Sequence, residues 1–314
     1  MANSASTSKL PPFTLLDEPL LSFSPSDAGQ VDVHPLRGLA NFGPYSKGSF
    51  GGYTSQVRIA TEYVPQYPGF EALFGVKLEA ASRDAHIKWP DSLSEFPGEG
   101  DSEARLFQAM DAAFRRLDTV RNEFDVVLVH FPDSWAPATR TKYFDAHDTL
   151  KALGAKYNIP TQVINDRVFT FTHTASLAWR LAIALYVKAT GTPWKLAPLK
   201  GVPSDTAYIG LAYALRGDQR DAHYVTCCSQ VFDMDGGGMQ FVAFEARDPV
   251  ADVADARRNP FLSRDDMRAV LARSLALYQG RNGGNLPKRL VIHKTTAFRQ
   301  EEVEGAFDAL AGVQ

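Results

Sequence analysis

The sequence has very few cysteines and no long apolar run. Its two cysteines, Cys227 and Cys228, are adjacent in an apparent strand, where neighbouring side chains point to opposite faces. They therefore form neither a disulfide framework nor a cysteine-rich metal site. The longest apolar stretches, residues 124–131 and 177–187, are too short or too interrupted to span a bilayer, and residues 1–10 lack the hydrophobic core of a signal peptide. We expect a cytoplasmic protein that does not contact a membrane.

Several common catalytic and nucleotide-binding motifs are also absent. The chain contains no G-x-x-x-x-G-K-[ST] loop, no G-x-G-x-x-G loop and no H-E-x-x-H pair. The net charge of −3 is not that of a protein that coats duplex DNA. Charge is nevertheless uneven, because residues 121–200 carry ten Lys or Arg against six Asp or Glu. This local excess is compatible with a nucleic acid held in one groove.

The first part of the chain shows the pattern of an α/β domain. Residues 34–46 are rich in Gly and Pro and are predicted to be a turn-rich connector, and a strand-like piece lies near residues 85–89. A continuous apolar strand at residues 124–132 is of the buried parallel type. Helix, strand and helix then alternate at residues 138–157, 161–164 and 176–189. This alternation predicts a doubly wound parallel sheet.

The pattern changes after residue 205. Apolar and β-branched residues predict three strands, at residues 206–215, 223–235 and 239–247. A helix N-capped by Ser263 (263–279), a fourth strand (287–293) and a last helix (301–310) are predicted to follow. The second and third of these strands are joined by a run of three glycines and are predicted to form an antiparallel hairpin. This is the element order of an RNase H-like fold.

Four polar residues have a recognisable spacing. His147 and Lys151 are four residues apart, so on a helix they share one face. Gln162 follows Ile-Pro-Thr at the predicted start of a strand, and Lys188 lies late in an apolar helix. Two lysines, an imidazole and a carboxamide around one point suit a terminal phosphate, since each charge-assisted hydrogen bond contributes about 1.5–3 kcal/mol.

This stretch resembles the MID domain of Argonaute proteins. The segments "KYNIPTQVI" and "KATGTPWKL" are close to the family pattern, and the order and spacing of all four polar residues match it. The resemblance implies that His147 stacks on or bonds the first nucleotide of a guide strand. It also implies that Lys151, Gln162 and Lys188 hold the guide 5′-phosphate, with Mg²⁺ at that phosphate.

The remainder of the chain resembles the PIWI domain, which follows MID in Argonautes. Slicing PIWI domains carry one metal-binding aspartate in a pattern like "IGLD" and a second after "IHRDG". Here these segments read "IGLAYAL" and "VIHKTTAF", with Ala212 and Thr295 at the two positions. An alanine cannot bind a metal ion and a neutral threonine is a poor replacement. We therefore expect no cleavage of a target strand.

The resemblance as a whole is to a short prokaryotic Argonaute that lacks the N and PAZ domains. It implies an N-terminal extension at residues 1–50, a Rossmann-like MID domain at 51–200 and a partial PIWI domain at 201–314, apparently truncated at its C-terminus. Such a protein would bind a 5′-phosphorylated guide RNA or DNA and recognise a complementary strand in defence against phage or plasmids. It would then signal to a separate effector with a PAZ-like region, such as a TIR protein, a sirtuin-like protein or a nuclease.

Two other functions remain open from the residues themselves. An α/β enzyme could bind a small phosphorylated metabolite through Lys151 and Lys188. A metal-dependent RNase H-like nuclease could recruit other carboxylates from the second part of the chain, namely Asp233, Asp235 or Glu245. Retention of a phosphorylated oligonucleotide separates the guide-binding function from the first alternative, and cleavage separates it from the second.

Overall fold

The computed structural model divides the chain into two compact units, Met1–Trp194 and Lys195–Gln314. The residues that it describes are 18–47, 56–61, 69–136, 141, 144–199, 201–216, 223–233, 238–245, 261–294 and 297–312. In these ranges no helix has both the length and the apolar character that crossing a bilayer requires.

The described part of the first unit begins with two short antiparallel strands, β1 (Leu21–Ser22) and β2 (Val31–Asp32), and a helix, α1 (Pro35–Phe42). The prediction of a turn-rich connector at residues 34–46 was therefore wrong, because α1 occupies most of it. Proline favours helix formation here because it occupies the first turn, where its missing N–H has no helical partner. The side chain of His34 caps the same turn by accepting a hydrogen bond from the backbone N–H of Arg37.

The centre of the first unit is a four-stranded parallel sheet. Its strands are β3 (Gln56–Ala60), β4 (Lys77–Ala80), β5 (Val126–Phe131) and β6 (Thr161–Asn165). Their spatial order is β4-β3-β5-β6, with every neighbouring pair parallel. The predicted parallel sheet is therefore confirmed. The prediction of a strand near residues 85–89 was wrong. The strand of this region is β4, which ends at Ala80, and a 3₁₀ turn follows it at Arg83–Ala85.

Helices cover both faces of this sheet. They are α2 (Gly69–Phe74), α3 (Ser102–Thr119), α4 (Ala146–Lys156), α5 (Arg167–Thr170) and α6 (Thr174–Lys188). The buried side chains of α3 and α4 belong to one apolar cluster, which includes Met110, Phe114 and Leu150. Those of α2 and α6 belong to a second cluster, which includes Phe74 and Leu185. The unit thus has three layers, as the doubly wound pattern predicts.

The second unit contains a mixed sheet and two long helices. Its elements are β7 (Lys195–Leu196), β8 (Thr206–Arg216), β9 (His223–Phe232), β10 (Gly238–Glu245), α7 (Arg264–Arg281), β11 (Arg289–Lys294) and α8 (Gln300–Ala311). Four strands form a sheet in the order β10-β9-β8-β11, in which β8, β9 and β10 are antiparallel and β11 is parallel to β8. This strand order agrees with the predicted RNase H-like fold.

Helix α7 covers the sheet of the second unit with its apolar side. Met267, Val270 and Leu271 are fully buried and belong to one apolar cluster with Ile209 of β8 and Val231 of β9. The helix begins as predicted, because the Ser263 side chain accepts a hydrogen bond of 3.1 Å from the backbone N–H of Asp266.

Candidate anion-binding site at the edge of the first sheet

A tight turn between α4 and β6 brings the start of that strand next to the helix. The backbone N–H of Ile159 donates to the carbonyl of Gly154 at 2.8 Å, and Asn158 has a left-handed φ of 52°. Asparagine is one of the few residues that adopt this conformation readily. A Cβ on Gly154 would lie 2.9 Å from the carbonyl oxygen of Ile159, so the turn needs a glycine at that position. Thr161 and Gln162 consequently lie beside α4.

Lys151 of α4 reaches the first residue of β6. Its ammonium group donates to the carbonyl oxygen of Thr161 at 2.8 Å and contacts the Thr161 hydroxyl at 3.0 Å. Because β6 is at the edge of the sheet, its outward carbonyl groups are not used by a neighbouring strand. One of them is available to hold the lysine, which fixes the position of the ammonium group.

Lys188, the last residue of α6, reaches the same edge from the opposite face of the sheet. Its ammonium group donates to Oε1 of Gln162 at 2.5 Å. The Gln162 amide nitrogen donates in turn to the carbonyl of Val163 at 2.9 Å, which orients the carboxamide. Two lysines from opposite helical layers therefore meet at the edge strand, Lys151 held by Thr161 and Lys188 by Gln162.

The two lysines form a pair of partly buried positive charges. Burial, followed by the positive charge of Lys151, lowers the pKa of Lys188 to about 8. Burial also lowers the pKa of Lys151. Among the described residues no carboxylate contributes to either shift. Two partly buried cations without a neutralising acid are unfavourable by themselves, and a bound anion would remove that cost.

His147 lies one turn before Lys151 on the same helix but is exposed. Its Nδ1 is 3.4 Å from a carboxylate oxygen of Asp148, and the described part of the chain shows no hydrogen bond from it to Lys151, Gln162 or Lys188. The structure thus brings together three of the four predicted residues and leaves the imidazole exposed beside Asp148, away from the two ammonium groups. Their roles as guide ligands stay predictions.

The first turn of α4 also carries a small group of possible metal ligands. The ligand atoms of Asp145, His147 and Asp148 all lie within 4.8 Å of one another, the single such group in the described ranges. The Asp145 carboxylate already accepts the backbone N–H of Asp148 at 3.1 Å, as the helix N-cap. Mg²⁺ prefers oxygen ligands, so the carboxylates fit it and the imidazole does not. Mg²⁺ at the guide phosphate remains a prediction.

Thr161 also contributes to this site, although its role was not predicted from the sequence. It is buried in the first position of β6, and both of its oxygens contact the ammonium group of Lys151. A threonine at the start of a strand is expected for its β-branched shape alone. Its only signal was its position directly before Gln162.

In the second unit, Ala212 occupies the predicted position on β8. It lies opposite Cys228 of β9, and the residue before it, Leu211, pairs with Lys294 at the end of β11. Thr295, Asp235 and the side chain of Glu245 fall outside the described part of the structure. Asp233 lies just after β9, and it already takes part in a polar or electrostatic interaction within the chain.

A buried carboxylate does exist in this unit, at Glu302 of α8. Its oxygens accept hydrogen bonds from Lys294 at 2.6 Å, from the Tyr213 hydroxyl at 2.9 Å, and from the backbone N–H groups of Leu262 and Arg299. The side chains of Lys294 and Glu302 are both fully buried. Since four donors already occupy the two oxygens, Glu302 is a structural group and not a metal ligand.

No protein-family model matches the chain, and no curated protein matches its sequence. Several solved Argonaute structures are similar to the chain. A structure of Marinitoga piezophila Argonaute in complex with a 5′ OH guide RNA matches with a TM-score of 0.55 and 10% identity, over 95% of this chain and 42% of that one. A structure of Aa-Ago with externally bound siRNA matches with a TM-score of 0.53 and 14% identity, over 94% of this chain and 38% of that one.

A structure of Aquifex aeolicus Argonaute matches with a TM-score of 0.50 and 15% identity, over 94% of this chain and 39% of that one. The chain therefore spans about two fifths of the length of these Argonautes. At such low identity the comparison establishes the fold, which is Argonaute-like. It does not establish an activity.

Proposed function

We propose that this chain, given its Argonaute-like fold, binds a guide strand of nucleic acid by its 5′-phosphate and recognises a complementary strand without cutting it. The observation that carries the proposal is the meeting of Lys151, Gln162 and Lys188 at the edge strand of the first sheet. The pair of ammonium groups complements a doubly charged terminal phosphate, and the pairing of guide bases would supply the specificity. One similar solved Argonaute is in complex with a 5′ OH guide RNA and another has an externally bound siRNA, which supports a nucleic acid as the ligand.

A direct test compares 5′-phosphorylated and 5′-hydroxyl oligonucleotides of the same sequence, as RNA and as DNA. Lys151→Ala and Lys188→Ala should each weaken binding of the phosphorylated strand by about 1.5–3 kcal/mol, and that of the hydroxyl strand much less. Lys156→Ala is the matched control, because Lys156 ends the same helix but pairs with Asp111. Equal losses for both kinds of strand would contradict a phosphate pocket.

The same experiment separates the competing metabolite-binding function. A site for a small phosphorylated metabolite would bind sugar phosphates or free nucleotides as tightly as an oligonucleotide. A guide site should favour the oligonucleotide, because further backbone phosphates add contacts and displace more counterions. We expect binding of a phosphorylated oligonucleotide to weaken with added salt more steeply than binding of a mononucleotide.

The non-slicing part of the proposal rests on Ala212, which leaves β8 without a carboxylate at the predicted position. A guide-loaded chain should leave a matched RNA or DNA target intact in the presence of Mg²⁺ or Mn²⁺. Metal-dependent cleavage that disappears in Asp233→Ala would instead support the nuclease alternative.

A protein that recognises a strand without cutting it needs a partner to act on the signal. We propose an effector with a PAZ-like region, of the TIR, sirtuin-like or nuclease type, that acts with this chain in the prokaryotic cytoplasm against phage or plasmids. Affinity purification of the chain from its native cells during phage infection or plasmid uptake should recover one such protein together with short oligonucleotides. Recovery of oligonucleotides and of no effector would contradict the signalling role while leaving guide binding intact.

A further inference from the structure

The first unit contains a cavity that the lysine site does not use. Its volume is about 240 Å³. Ala60 and Thr61 line it at the end of β3, and His130 and Pro132 line it at the end of β5. The lysine site is centred on the starting end of β6, and none of Lys151, Gln162 and Lys188 lines the cavity. The two sites therefore use different side chains.

The position of the cavity is the one where open parallel sheets bind ligands. From β3 the chain moves to β4 on one side, and it then returns to place β5 and β6 on the other side. The strand order thus reverses between β3 and β5. A crevice forms at the carboxyl ends of the two strands that flank such a reversal, because their outgoing connections run in opposite directions.

Aromatic rings form much of the cavity wall. Trp89, Trp135 and Phe169 all line it, and the centroids of the two indole rings are 5.6 Å apart. Phe169 packs edge-on against His130, with ring centroids 5.5 Å apart. The indole N–H of Trp135 has no hydrogen-bond partner within the described ranges, so the wall contains an unused donor. Flat aromatic ligands stack favourably on such rings.

The polar groups of the cavity are balanced in charge. Lys88 and Asp91 both line it, one cation against one anion. Nε2 of His130 is 2.7 Å from Asp166, whose other oxygen accepts the backbone N–H of Asp133 at 2.8 Å, so the imidazole is held in one orientation. This arrangement offers hydrogen bonds to an uncharged polar edge. It lacks the excess of positive charge that marks the lysine site.

We propose that this cavity binds an uncharged, planar heteroaromatic ligand of the size of a nucleobase or nucleoside. The volume limits the size, since pockets for drug-sized molecules measure about 300–1,000 Å³ and this cavity is smaller. The aromatic wall selects a flat ring. The balanced charges disfavour a phosphorylated ligand.

Binding can be tested by titrating the full chain with the four common nucleosides and their free bases, and by measuring the affinities by calorimetry and tryptophan fluorescence. We expect at least one to bind, and its 5′-monophosphate to bind no more tightly. Phe169→Leu should weaken binding about threefold or more, through loss of the ring contact. Phe171→Leu is the matched control, because Phe171 is similarly exposed two residues away and does not line this cavity.

A second variant fills the cavity. Ala113 of α3 lines it and is buried, so Ala113→Leu should abolish nucleoside binding while keeping or raising the melting temperature. Absence of binding by every nucleoside and base at millimolar concentration would overturn the proposal. So would binding that a folded Ala113→Leu variant retains.

Nucleoside binding in this cavity should not depend on the lysine site. Lys151→Ala should leave nucleoside binding unchanged, and loss of binding in that variant would place the ligand at the lysine site and overturn the proposal. A 5′-hydroxyl oligonucleotide that competes with the nucleoside would identify the ligand as a base within a strand. Failure to compete would identify it as a free nucleoside or base.

Discussion

Lys188 donates a hydrogen bond of 2.5 Å to Oε1 of Gln162, and this contact joins the end of α6 to the edge strand β6. The Gln162 amide nitrogen is committed to the carbonyl of Val163, so the carboxamide presents its oxygen to the lysine. The ammonium group is thereby positioned without being neutralised. A cation held by a neutral acceptor keeps its full charge for an anionic ligand.

The pKa of Lys188 gives guide binding a pH dependence. Burial and the charge of Lys151 lower this pKa to about 8, so the unbound chain loses the proton when the pH rises above that value. A phosphate keeps its charge there, since its second pKa is about 6. Affinity for a 5′-phosphorylated strand should therefore fall between about pH 7 and pH 9, as measured by fluorescence anisotropy.

Lys188→Arg is the control for that pH dependence. Arginine stays protonated throughout this range, so the variant should show a flatter pH profile whatever its absolute affinity. Identical profiles for the two proteins would show that another group titrates.

Gln162→Glu should weaken binding of the phosphorylated strand, although the two side chains have nearly the same shape. The new carboxylate would form an ion pair with Lys188 and repel the phosphate. We expect a loss of at least tenfold, and a smaller loss for Gln162→Ala, measured on the same 5′-phosphorylated strand. A stronger effect of the alanine variant would show that the loss of the carboxamide's own contact with the phosphate outweighs repulsion by a carboxylate.

Breaking the buried pair Lys294 and Glu302 should destabilise the second unit. Lys294→Met leaves the Glu302 carboxylate buried with its hydroxyl and backbone donors but without a cation. Breaking such a pair costs about 3–5 kcal/mol of unfolding free energy, measured by urea denaturation. The double variant Lys294→Met with Glu302→Gln should be more stable than Lys294→Met alone, because it removes the uncompensated charge. Equal stabilities would argue against an ionised pair.

Two glycines of the second unit should respond to alanine in opposite directions. A Cβ on Gly305 of α8 would lie 2.2 Å from the carbonyl oxygen of Arg264, so Gly305→Ala should destabilise the unit by about 1–3 kcal/mol. A Cβ on Gly280 of α7 would have nothing within 4 Å, so Gly280→Ala should stabilise the second unit by about 0.5–1 kcal/mol. Thermal unfolding of the two variants beside the parent chain measures both effects.

Local pattern was sufficient for the strands and helices with strong periodicity. The apolar run of β5 and the serine cap of α7 are encoded within a few residues of each element. Helix α1 was missed although the proline in its first turn and the His34 cap are local signals, because its packing against the rest of the unit is not local. Its Gly38 lies so close to the ring of Phe23 that a Cβ would be 2.1 Å from it, and no local pattern reports that contact.

The lysine site shows the same division between local and distant information. The i, i+4 relation of His147 and Lys151 is visible in the sequence, and the structure places both on α4. That Lys188 reaches the same edge from the other face of the sheet follows from the strand order, which spacing alone does not contain. The pairing of Lys294 with Glu302 was likewise invisible, since it depends on how α8 follows β11.

The position of β8 between β9 and β11 has a consequence for how the second unit folds. Strands β8, β9 and β10 pair with their neighbours along the chain, so their loops close at little entropic cost. Strand β11 must instead find β8 after β9, β10 and α7 have intervened. Such distant pairing slows folding. Pulsed hydrogen exchange during refolding should thus protect the amides shared by β8 and β9 before those of β11, which makes the arrival of β11 the event that completes the sheet.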